Sequence, residues 1–256
     1  MPRVAGPKSS VRQRPRSPAP AVLVTGASGG IGRAIGLAFA QQGYALALHY
    51  HRNKPAAETT RTLVQEAGGH GTLYQADLRE FEQVRQMIDA SSRACHNLST
   101  FVCCAGIAAS GLLLRLKESD WVETLAINLT GTFHCLRAMA GYLMTSGGGS
   151  IVVIGSYAGF QGSVGQTAYA ASKAGLIGLV KTAALEWGPD NIRVNIVLPG
   201  WQRTVLSQGA MPDDRDWSDH ALRRPASLAA VARTVVHLAQ LSDVSGQVWN
   251  CDSRSL

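Results

Sequence analysis

The sequence predicts a single α/β domain with a doubly wound, seven-stranded parallel sheet that is covered by helices on both faces. Short apolar runs rich in β-branched residues alternate along the chain with segments of helical apolar spacing, and this alternation is typical of such folds. A glycine-rich turn joins the first predicted strand to the first predicted helix. The 256 residues are enough for one large core, and no internal repeat or second domain is visible.

The individual elements follow from these periodicities in chain order. The first strand is the apolar run that begins at Ala21, and helical spacing begins at Gly30. The seven strands are predicted near residues 21–25, 44–50, 71–75, 100–104, 150–155, 191–197 and 246–250. The six helices are predicted near residues 30–42, 56–67, 80–95, 118–145, 167–187 and 227–241. Sheets of this kind bind ligands at the carboxyl ends of their strands, where the motifs described below also lie.

The formal net charge of +7 is concentrated near the N-terminus. Residues 1–20 contain five basic residues and no acidic one, so residues 21–256 hold 19 basic and 17 acidic residues. This Pro- and Ser-rich segment lacks the apolar stretch of a secretory signal and is predicted to be a flexible leader outside the folded domain of residues 21–256. An inert tail is favoured, while a targeting tail, an anion-binding arm and a mis-annotated start stay open. Because the excess charge lies outside the core, no binding to nucleic acid is predicted.

Composition predicts a cytoplasmic protein that does not enter a membrane. Hydrophobic residues make up 46 % of the chain, but no apolar stretch is long enough to span a bilayer. The five cysteines lack Cys-x-x-Cys spacing, which favours reduced thiols. Cys103 and Cys104 are adjacent on a predicted strand and point to opposite faces, which argues against a disulfide or a shared metal. His49 and His51 share a strand face, but without a third nearby ligand no metal is predicted.

The turn after the first strand predicts a site for a pyrophosphate group. Glycine has no Cβ, so the backbone at Gly26, Gly30 and Gly32 can approach a ligand closely. The helix that follows offers free N–H groups and the positive end of its dipole. The spacing Gly-x-x-x-Gly-x-Gly differs from the commonest dinucleotide fingerprint, Gly-x-Gly-x-x-Gly. The position of this glycine turn between a strand and a helix strengthens the prediction of a pyrophosphate site.

A second motif combines a phenol, a cation and a hydroxyl. Tyr169 and Lys173 lie four residues apart on one predicted helix, and Ser156 lies thirteen residues before Tyr169. An ammonium on the same helix face favours the phenolate, so we expect the pKa of Tyr169 to fall from about 10 toward neutrality. Together the three groups could protonate a carbonyl oxygen. Such a Tyr–Lys pair alone is more often structural, and the independent glycine turn is what favours catalysis.

Together these motifs resemble the classical branch of the short-chain dehydrogenase/reductase family over residues 21–252. Asn128, Ser156, Tyr169 and Lys173 match the family's catalytic tetrad. The stretches 111–121, 128–131 and 169–178 are similar in particular to the 3-oxoacyl-acyl-carrier-protein reductases. The resemblance implies a Rossmann-fold domain and a nicotinamide cofactor. It implies the following cofactor-binding residues: Thr25, Gly26, Ser28, Gly30, Ile31, Gly32, Arg52, Asp77, Leu78, Ala105, Gly106, Tyr169, Lys173, Pro199, Gly200 and Thr204.

The end of the second strand favours NADP(H) over NAD(H). NAD-selective relatives place an acid there, whereas this chain has Tyr50, followed by His51 and Arg52. No carboxylate would repel a 2′-phosphate, and Arg52 can pair with one, although it could also be a solvated loop charge. Against NADP(H), Gly29 stands where many members carry a basic residue. Asp77 resembles the acid with which family members contact the adenine. The alternative explanation for an Asp at this position is that it caps the helix that follows.

The resemblance also implies a role for each residue of the tetrad. Tyr169 donates a proton to the carbonyl oxygen while hydride passes from the nicotinamide to the carbonyl carbon. Ser156 hydrogen-bonds that oxygen, and Lys173 lowers the pKa of Tyr169 and holds the nicotinamide ribose. Asn128 bends its helix and holds a water molecule that links Lys173 to solvent. An Asn in the middle of a helix suits a functional role of this kind, because Asn is otherwise an indifferent helix former.

The chain departs from the family pattern near the cofactor and at the mouth of the site. Cys103-Cys104-Ala105-Gly106 replaces an Asn-Asn-Ala-Gly run whose amides brace the strand, and we expect folding to survive this change. His134 and Leu185 stand where carrier-protein reductases tend to carry arginines. This weakens the prediction that an acyl carrier protein docks there, although Arg137 or Arg115 could substitute.

Three functions are compatible with these patterns. The first is NADPH-dependent reduction of a 3-oxoacyl thioester, with an acyl carrier protein as a possible partner. The second is a carrier-independent carbonyl reductase or alcohol dehydrogenase. The third, a catalytically silent partner subunit, is disfavoured because the tetrad is complete.

A homo-oligomer, dimer or tetramer, is expected, although residues 250–254 lack the glycines of the usual tetramer tail. The substrate pocket is predicted to be lined by residues 106–109, Tyr157, Phe160, Gln161, Gln166 and Trp201.

Overall fold

The computed structural model describes residues 19–95, 97–207 and 216–254. Apart from Ala19 and Pro20, the predicted leader lies outside the described residues, so its flexibility stays a prediction. The backbone N–H of Ala45 donates to the carbonyl oxygen of Pro20 (2.9 Å), which ties the start of the described chain to the second strand. None of the helices in these ranges combines the length and the apolar character needed to cross a membrane.

A seven-stranded, all-parallel sheet forms the centre of the fold and confirms the predicted fold class. The strands are β1 (Ala21–Val24), β2 (Ala45–Tyr50), β3 (His70–Gln75), β4 (Leu98–Cys103), β5 (Gly149–Ile154), β6 (Ile192–Leu198) and β7 (Val248–Asn250). Their order is β3-β2-β1-β4-β5-β6-β7, so the winding direction reverses between β1 and β4. A reversal of this kind opens a crevice at the carboxyl ends of the two strands.

Helices cover both faces of the sheet, as expected for a Rossmann fold. They are α1 (Gly30–Gln41), α2 (Lys54–Glu66), α3 (Phe81–Ala94), α4 (Glu118–Leu125), α5 (Gly131–Ser146), α6 (Ala158–Gln161), α7 (Thr167–Trp187) and α8 (Leu228–Gln240). Val84 of α3, Leu136 of α5 and Val180 of α7 belong to the buried core on one face. Ile35 of α1 and Val235 of α8 belong to the core on the other.

The strands supply side chains to both cores in alternation. Leu23 packs in the core with α3, α5 and α7, whereas Val22 and Val24 pack in the core with α1 and α8. Cys103 and Cys104 are divided between the same two layers, and both are free thiols. Their adjacent positions on the chain therefore place them on opposite faces, as the strand period predicts.

The predicted helix at 118–145 is interrupted at its centre. A π-helical segment, Ala126–Thr130, separates α4 from α5, and the N–H of Gly131 donates to the carbonyl of Ala126, five residues earlier. Such segments occur mostly inside α-helices and frequently at functional sites. Asn128, which is fully buried, lies in the middle of this segment. The short α6 was not predicted, because four residues are too few to show an apolar period.

Candidate active site

Two adjoining cavities open at the carboxyl edge of the sheet. The larger is a cleft of about 1320 Å³ that passes the ends of β1, β2 and β3. The smaller is a pocket of about 190 Å³ beside the first half of α7. Ile31, Cys104, Gly106 and Thr204 line both cavities, so the two spaces meet at these residues.

The glycine turn forms one wall of the cleft and has no room for side chains. A Cβ on Gly26, where φ is +68°, would lie 2.7 Å from the Cα of Ala105, and a Cβ on Gly32 would lie 2.3 Å from the carbonyl oxygen of Gly26. Helix α1 follows an N-cap glycine, Gly29, and has no acidic residue in its first turn. Its first N–H groups and its dipole can therefore receive an anion. The other predicted residues of the turn also line the cleft: Ser28, Gly30 and Ile31.

A buried histidine holds the glycine turn, and the sequence analysis missed this role. The N–H of Gly26 donates to Nδ1 of His49 (3.1 Å), so Nε2 carries the ring proton and donates to the carbonyl of Ala76 (3.0 Å). Both nitrogens are used, which leaves neither for the metal considered above. Burial lowers the pKa of His49 from 6.5 to about 4, so the ring is neutral and can both accept and donate. The signal in the sequence was a polar residue within an apolar strand.

Thr25 braces the junction of β1 and β4 where the family's asparagines are absent. Its Oγ1 accepts hydrogen bonds from the N–H groups of Cys104 (3.0 Å) and Ala105 (3.2 Å). The thiol of Cys103 instead faces the core beside Cys135, where burial raises its pKa. Backbone donors and a threonine hydroxyl therefore connect the two strand ends without help from either thiol.

Charged side chains surround the cleft at the ends of β2 and β3. Arg52 is exposed and lines the cleft. The guanidinium of Arg79 donates from Nε to both carboxylate oxygens of Asp77 (3.0 Å each) and holds the pKa of Asp77 low, at about 2. Nε2 of His51 lies 3.6 Å from the same carboxylate. The N-cap of α3 is Glu80, so Asp77 does not cap that helix. Leu78 also lines the cleft.

Asn128 joins three elements near the place where the cavities meet. Its Oδ1 accepts from the N–H of Ile107 (2.8 Å), and its Nδ2 donates to the carbonyl of Ile107 (2.9 Å) and to Oγ of Ser172 (3.0 Å). A Cβ on Gly106 would lie 3.1 Å from Oδ1 of Asn128 and 3.7 Å from Nζ of Lys173. Asn128 thus holds α7 against the loop after β4, and the water relay stays a prediction.

The structure brings Ser156, Tyr169 and Lys173 together in the smaller pocket. Ser156 follows β5, and the other two lie one turn apart on α7. The Ser156 hydroxyl hydrogen-bonds the phenol of Tyr169. Nζ of Lys173 donates to the carbonyl of Ile154 at the end of β5 (2.7 Å) and lies 5.7 Å from the centre of the Tyr169 ring. Hydroxyl, phenol and ammonium therefore share one wall.

The direction of the pKa shift at Tyr169 corrects the sequence-based expectation. Burial raises the pKa of Tyr169, and the hydrogen bond from Ser156 acts in the opposite direction. The ammonium of Lys173 donates to the Ile154 carbonyl, and the expected lowering of the phenol's pKa by this ammonium is not found. Burial lowers the pKa of Lys173 itself to about 8. Tyr169 is therefore a protonated phenol near pH 7, the form that donates a proton.

The loop after β6 packs against the glycine turn. A Cβ on Gly30 would lie 2.7 Å from Cγ2 of Thr204. Gly200 has a φ of +69°, and a Cβ there would lie 2.5 Å from Oδ2 of Asp252. Pro199, Gly200 and Thr204 all line the smaller pocket. The loop therefore covers the junction of the two cavities.

The smaller pocket contains a charged residue that the sequence analysis did not place there. Arg254 lines it, and its guanidinium lies 3.7 Å from the centre of the Tyr157 ring. Phe160 was predicted to line the pocket but is 49 % exposed and lies outside it. The predicted residues that do line it are Gly106, Ala108, Tyr157, Gln161, Gln166 and Trp201.

His134 and Leu185, which stand where carrier-protein reductases tend to carry arginines, differ in exposure. Leu185 on α7 is 82 % exposed. His134 on α5 is partly buried, donates from Nδ1 to the carbonyl of Leu78 (3.0 Å) and contacts the edge of Phe81. The guanidinium of Arg137 lies 4.7 Å from the centre of the same ring and is exposed. An exposed cation therefore lies one turn from each place, Arg137 from His134 and Lys181 from Leu185.

Comparisons with known proteins agree with this geometry. The family model described as short chain dehydrogenase matches residues 20–215. A (3R)-3-hydroxyacyl-CoA dehydrogenase of Canis lupus familiaris is 43 % identical over 195 residues, which cover 73 % of this chain and 75 % of that protein. A 3-oxoacyl-[acyl-carrier-protein] reductase of Staphylococcus epidermidis is 35 % identical over 219 residues, 85 % of this chain and 90 % of that protein. The crystal structure of an NAD⁺-bound xylitol dehydrogenase matches with a TM-score of 0.85 at 28 % identity, covering 93 % of this chain and 100 % of that chain.

Proposed function

This chain belongs to the short-chain dehydrogenase family, and we propose that it reduces 3-oxoacyl thioesters to 3-hydroxyacyl thioesters with NADPH. It is an oxidoreductase that acts on hydroxyl and carbonyl groups, as its relatives are. The observation that carries the proposal is the shared pocket of Ser156, Tyr169 and Lys173, which meets the glycine-turn cleft.

The cleft fits a nicotinamide dinucleotide. When bound, this cofactor supplies the hydride that reduces the carbonyl carbon. The first N–H groups of α1 would hold the pyrophosphate. Glycines at 26 and 32 allow the tight turn that presents these groups, because a Cβ at either position would clash with neighbouring backbone. Asp77 and Leu78 would hold the adenine side, with Thr25 setting the position of Ala105 and Gly106. Pro199, Gly200 and Thr204 would cover the nicotinamide side.

The residues of the smaller pocket then perform the proton transfer. Tyr169 donates its phenolic proton to the carbonyl oxygen, and its raised pKa keeps that proton in place until the oxygen becomes basic. Ser156 donates a hydrogen bond to the same oxygen. Lys173, whose Nζ lies 5.7 Å from the ring centre and donates to the Ile154 carbonyl, would hold the nicotinamide ribose. Asn128 acts through Ser172 by holding α7 in place.

Arg52 supports the choice of NADPH. β2 ends at Tyr50, which is buried at 6 % exposure, and His51 and Arg52 follow it. No carboxylate therefore stands at the end of β2. The acids that line the cleft are Asp77, which Arg79 neutralises, and Glu123. We expect Arg52→Gln to raise the KM for NADPH roughly tenfold, the loss of one charge-assisted contact to phosphate. The KM for NADH should change little. The exposed Arg93→Gln, which lies outside the cleft, is the matched control.

The names of two relatives support a thioester substrate. The dog protein is a 3-hydroxyacyl-CoA dehydrogenase and the staphylococcal protein a 3-oxoacyl-[acyl-carrier-protein] reductase, so both concern the same oxygen at C3 of an acyl thioester. A second candidate is a carrier-independent carbonyl reductase. The exposed Leu185, where an arginine was expected, favours it.

The proposal is tested by following oxidation of NADPH and NADH at the nicotinamide absorbance. Acetoacetyl-CoA, acetoacetyl-acyl-carrier protein and cyclohexanone serve as acceptors. NADPH-selective turnover of a thioester above that of cyclohexanone supports the proposal, and preference for cyclohexanone favours the second candidate. A carrier-borne substrate that outperforms the CoA thioester would indicate that an acyl carrier protein docks, with Arg137 and Arg115 as the candidate cations.

A cytoplasmic location and homo-oligomeric assembly complete the proposal. All five cysteines are free thiols, which suits a reducing compartment. Exposed apolar side chains near α4 and α5, including Leu114 and Phe133, suit contact with a second copy of the chain. Light scattering after size-exclusion chromatography distinguishes a monomer from a dimer or a tetramer.

A further inference from the structure

The smaller pocket contains a cation that the proposed proton transfer does not use. Arg254 lines the pocket together with Ser156, Tyr169 and Lys173, and its side chain is 12 % exposed. Among the described residues that line this pocket there is no aspartate or glutamate. The charged groups that a substrate meets there are therefore cations.

Buried neighbours hold Arg254 in one orientation. Its Nε donates to Oδ2 of Asp252 (3.0 Å), and its Nη2 donates to the same oxygen. The Asp252 side chain is 1 % exposed, and its Oδ1 lies 3.0 Å from Nε2 of the fully buried His220. The Tyr157 ring covers one face of the guanidinium at 3.7 Å. An arginine fixed on one edge and one face is preorganised for a ligand and loses little entropy on binding it.

The backbone on either side of Arg254 is fixed as well. The N–H of Ala221 donates to the carbonyl of Ser253 (3.2 Å), and the N–H of Leu222 donates to its Oγ (3.2 Å). The amide of Asn250 donates to the carbonyl of Arg254 (2.7 Å). These bonds seat the segment 250–254 against residues 220–222, so the position of Arg254 is a property of the fold.

Part of the guanidinium stays available to a ligand. Of its five N–H donors, Asp252 engages those on the Nε and Nη2 edge. Nη1 lies 4.0 Å from Oδ2 of Asp219, which is beyond hydrogen-bond distance. Neither aspartate therefore engages the Nη1 donors in a hydrogen bond, and because Arg254 lines the pocket these donors are the ones that a ligand oxygen there would use.

We infer that Arg254 is a specificity residue that binds a second oxygen of the substrate, while Tyr169 and Ser156 bind the first. The inference rests on the proposed function and deepens it. A 3-oxoacyl thioester has two carbonyl oxygens, one on the carbon that is reduced and one on the thioester. A simple ketone has only the first. Arg254 thus selects 1,3-dicarbonyl compounds, and a carboxylate in place of the thioester binds through a charge-assisted pair.

The experiment compares the wild type with Arg254→Gln, Arg254→Lys and the exposed control Arg233→Gln. The substrates are the acetoacetyl thioester of N-acetylcysteamine and cyclohexanone, with NADPH as reductant. We expect the ratio of the two kcat/KM values, thioester over ketone, to fall roughly 10- to 100-fold in Arg254→Gln. The ratio for Arg254→Lys should lie between those of the wild type and Arg254→Gln. Arg233→Gln should keep the wild-type ratio. An unchanged ratio in Arg254→Gln overturns the inference.

A binding measurement separates this inference from the proposed function. Malonate carries two carboxylates and no reducible carbonyl, and we expect it to raise the Tm of the wild type but not that of Arg254→Gln. If no thioester is reduced while malonate still discriminates between these two proteins, the proposed function fails and the role of Arg254 stands. Equal stabilisation of both proteins by malonate overturns the role of Arg254 whatever the substrate.

Discussion

Replacement of His49 by leucine tests the inference that a buried neutral imidazole holds the glycine turn. The ring accepts from the N–H of Gly26 and donates to the carbonyl of Ala76, and the residue is 2 % exposed. Leucine fills a similar space but leaves both backbone groups buried without a partner. Each such group costs about 1–3 kcal/mol, so we expect His49→Leu to lower the free energy of unfolding by roughly 2–6 kcal/mol near pH 7.

The pH dependence of the free energy of unfolding gives a second and more specific test of the role of His49. The pKa of His49 is lowered from 6.5 to about 4 in the folded protein, so between these values the unfolded chain binds more protons. The stability that depends on the neutral ring is complete above pH 6.5 and is lost as the pH falls toward 4. One pKa unit corresponds to about 1.4 kcal/mol, so the wild type should lose about 2 kcal/mol through His49 between pH 6.5 and about 4.5.

The assay is urea unfolding followed by tryptophan fluorescence at a series of pH values. Carboxylates also titrate in this range, so the informative quantity is the difference in slope between the wild type and each variant. His49→Leu should lose the His49 part of the slope, and so should His49→Asn, whose amide does not titrate and can accept from the N–H of Gly26 in place of Nδ1. His237→Gln, which changes an exposed histidine of α8, should keep the wild-type slope. If His49→Leu shows the same slope as the wild type, the lowered pKa assigned to His49 is wrong.

Three further substitutions and one control test the site. Tyr169→Phe should lower kcat by roughly 10²- to 10⁴-fold while NADPH binding, measured by fluorescence titration, persists; substantial residual turnover contradicts its assignment as the acid. Gly32→Ala places a Cβ 2.3 Å from the carbonyl oxygen of Gly26 and should abolish NADPH binding and lower the Tm. Gly178→Ala, in a helix with open space around it, should raise stability by up to about 1 kcal/mol. Asn128→Ala removes three hydrogen bonds and should lower the free energy of unfolding in urea by about 2–4 kcal/mol; an unchanged value refutes the bonding described.

The features that the sequence predicted are those that depend on neighbours along the chain. Alternation of apolar runs indicated the parallel sheet, because burial on both faces of a strand leaves a continuous apolar segment. The glycine turn was readable because its residues act together within a single loop. Tyr169 and Lys173 could be paired because the helical period places residues four apart on one face. Even the interruption around Asn128 had a local sign, since an asparagine is an unusual choice in mid-helix.

What only the tertiary structure decided concerns groups that are far apart in sequence. His49 meets Gly26 and Ala76 because three parallel strands end at one edge, and its neutral state follows from burial that no local pattern specifies. Arg254 reaches Tyr157 because the chain's last described residues return to the pocket. The pKa of Tyr169 rises because burial of the phenol outweighs the hydrogen bond from Ser156, a residue thirteen positions away on another element. The sequence by itself thus determined the fold and which chemical groups are present. The burial and contacts that set their charge states came from elements brought together by folding.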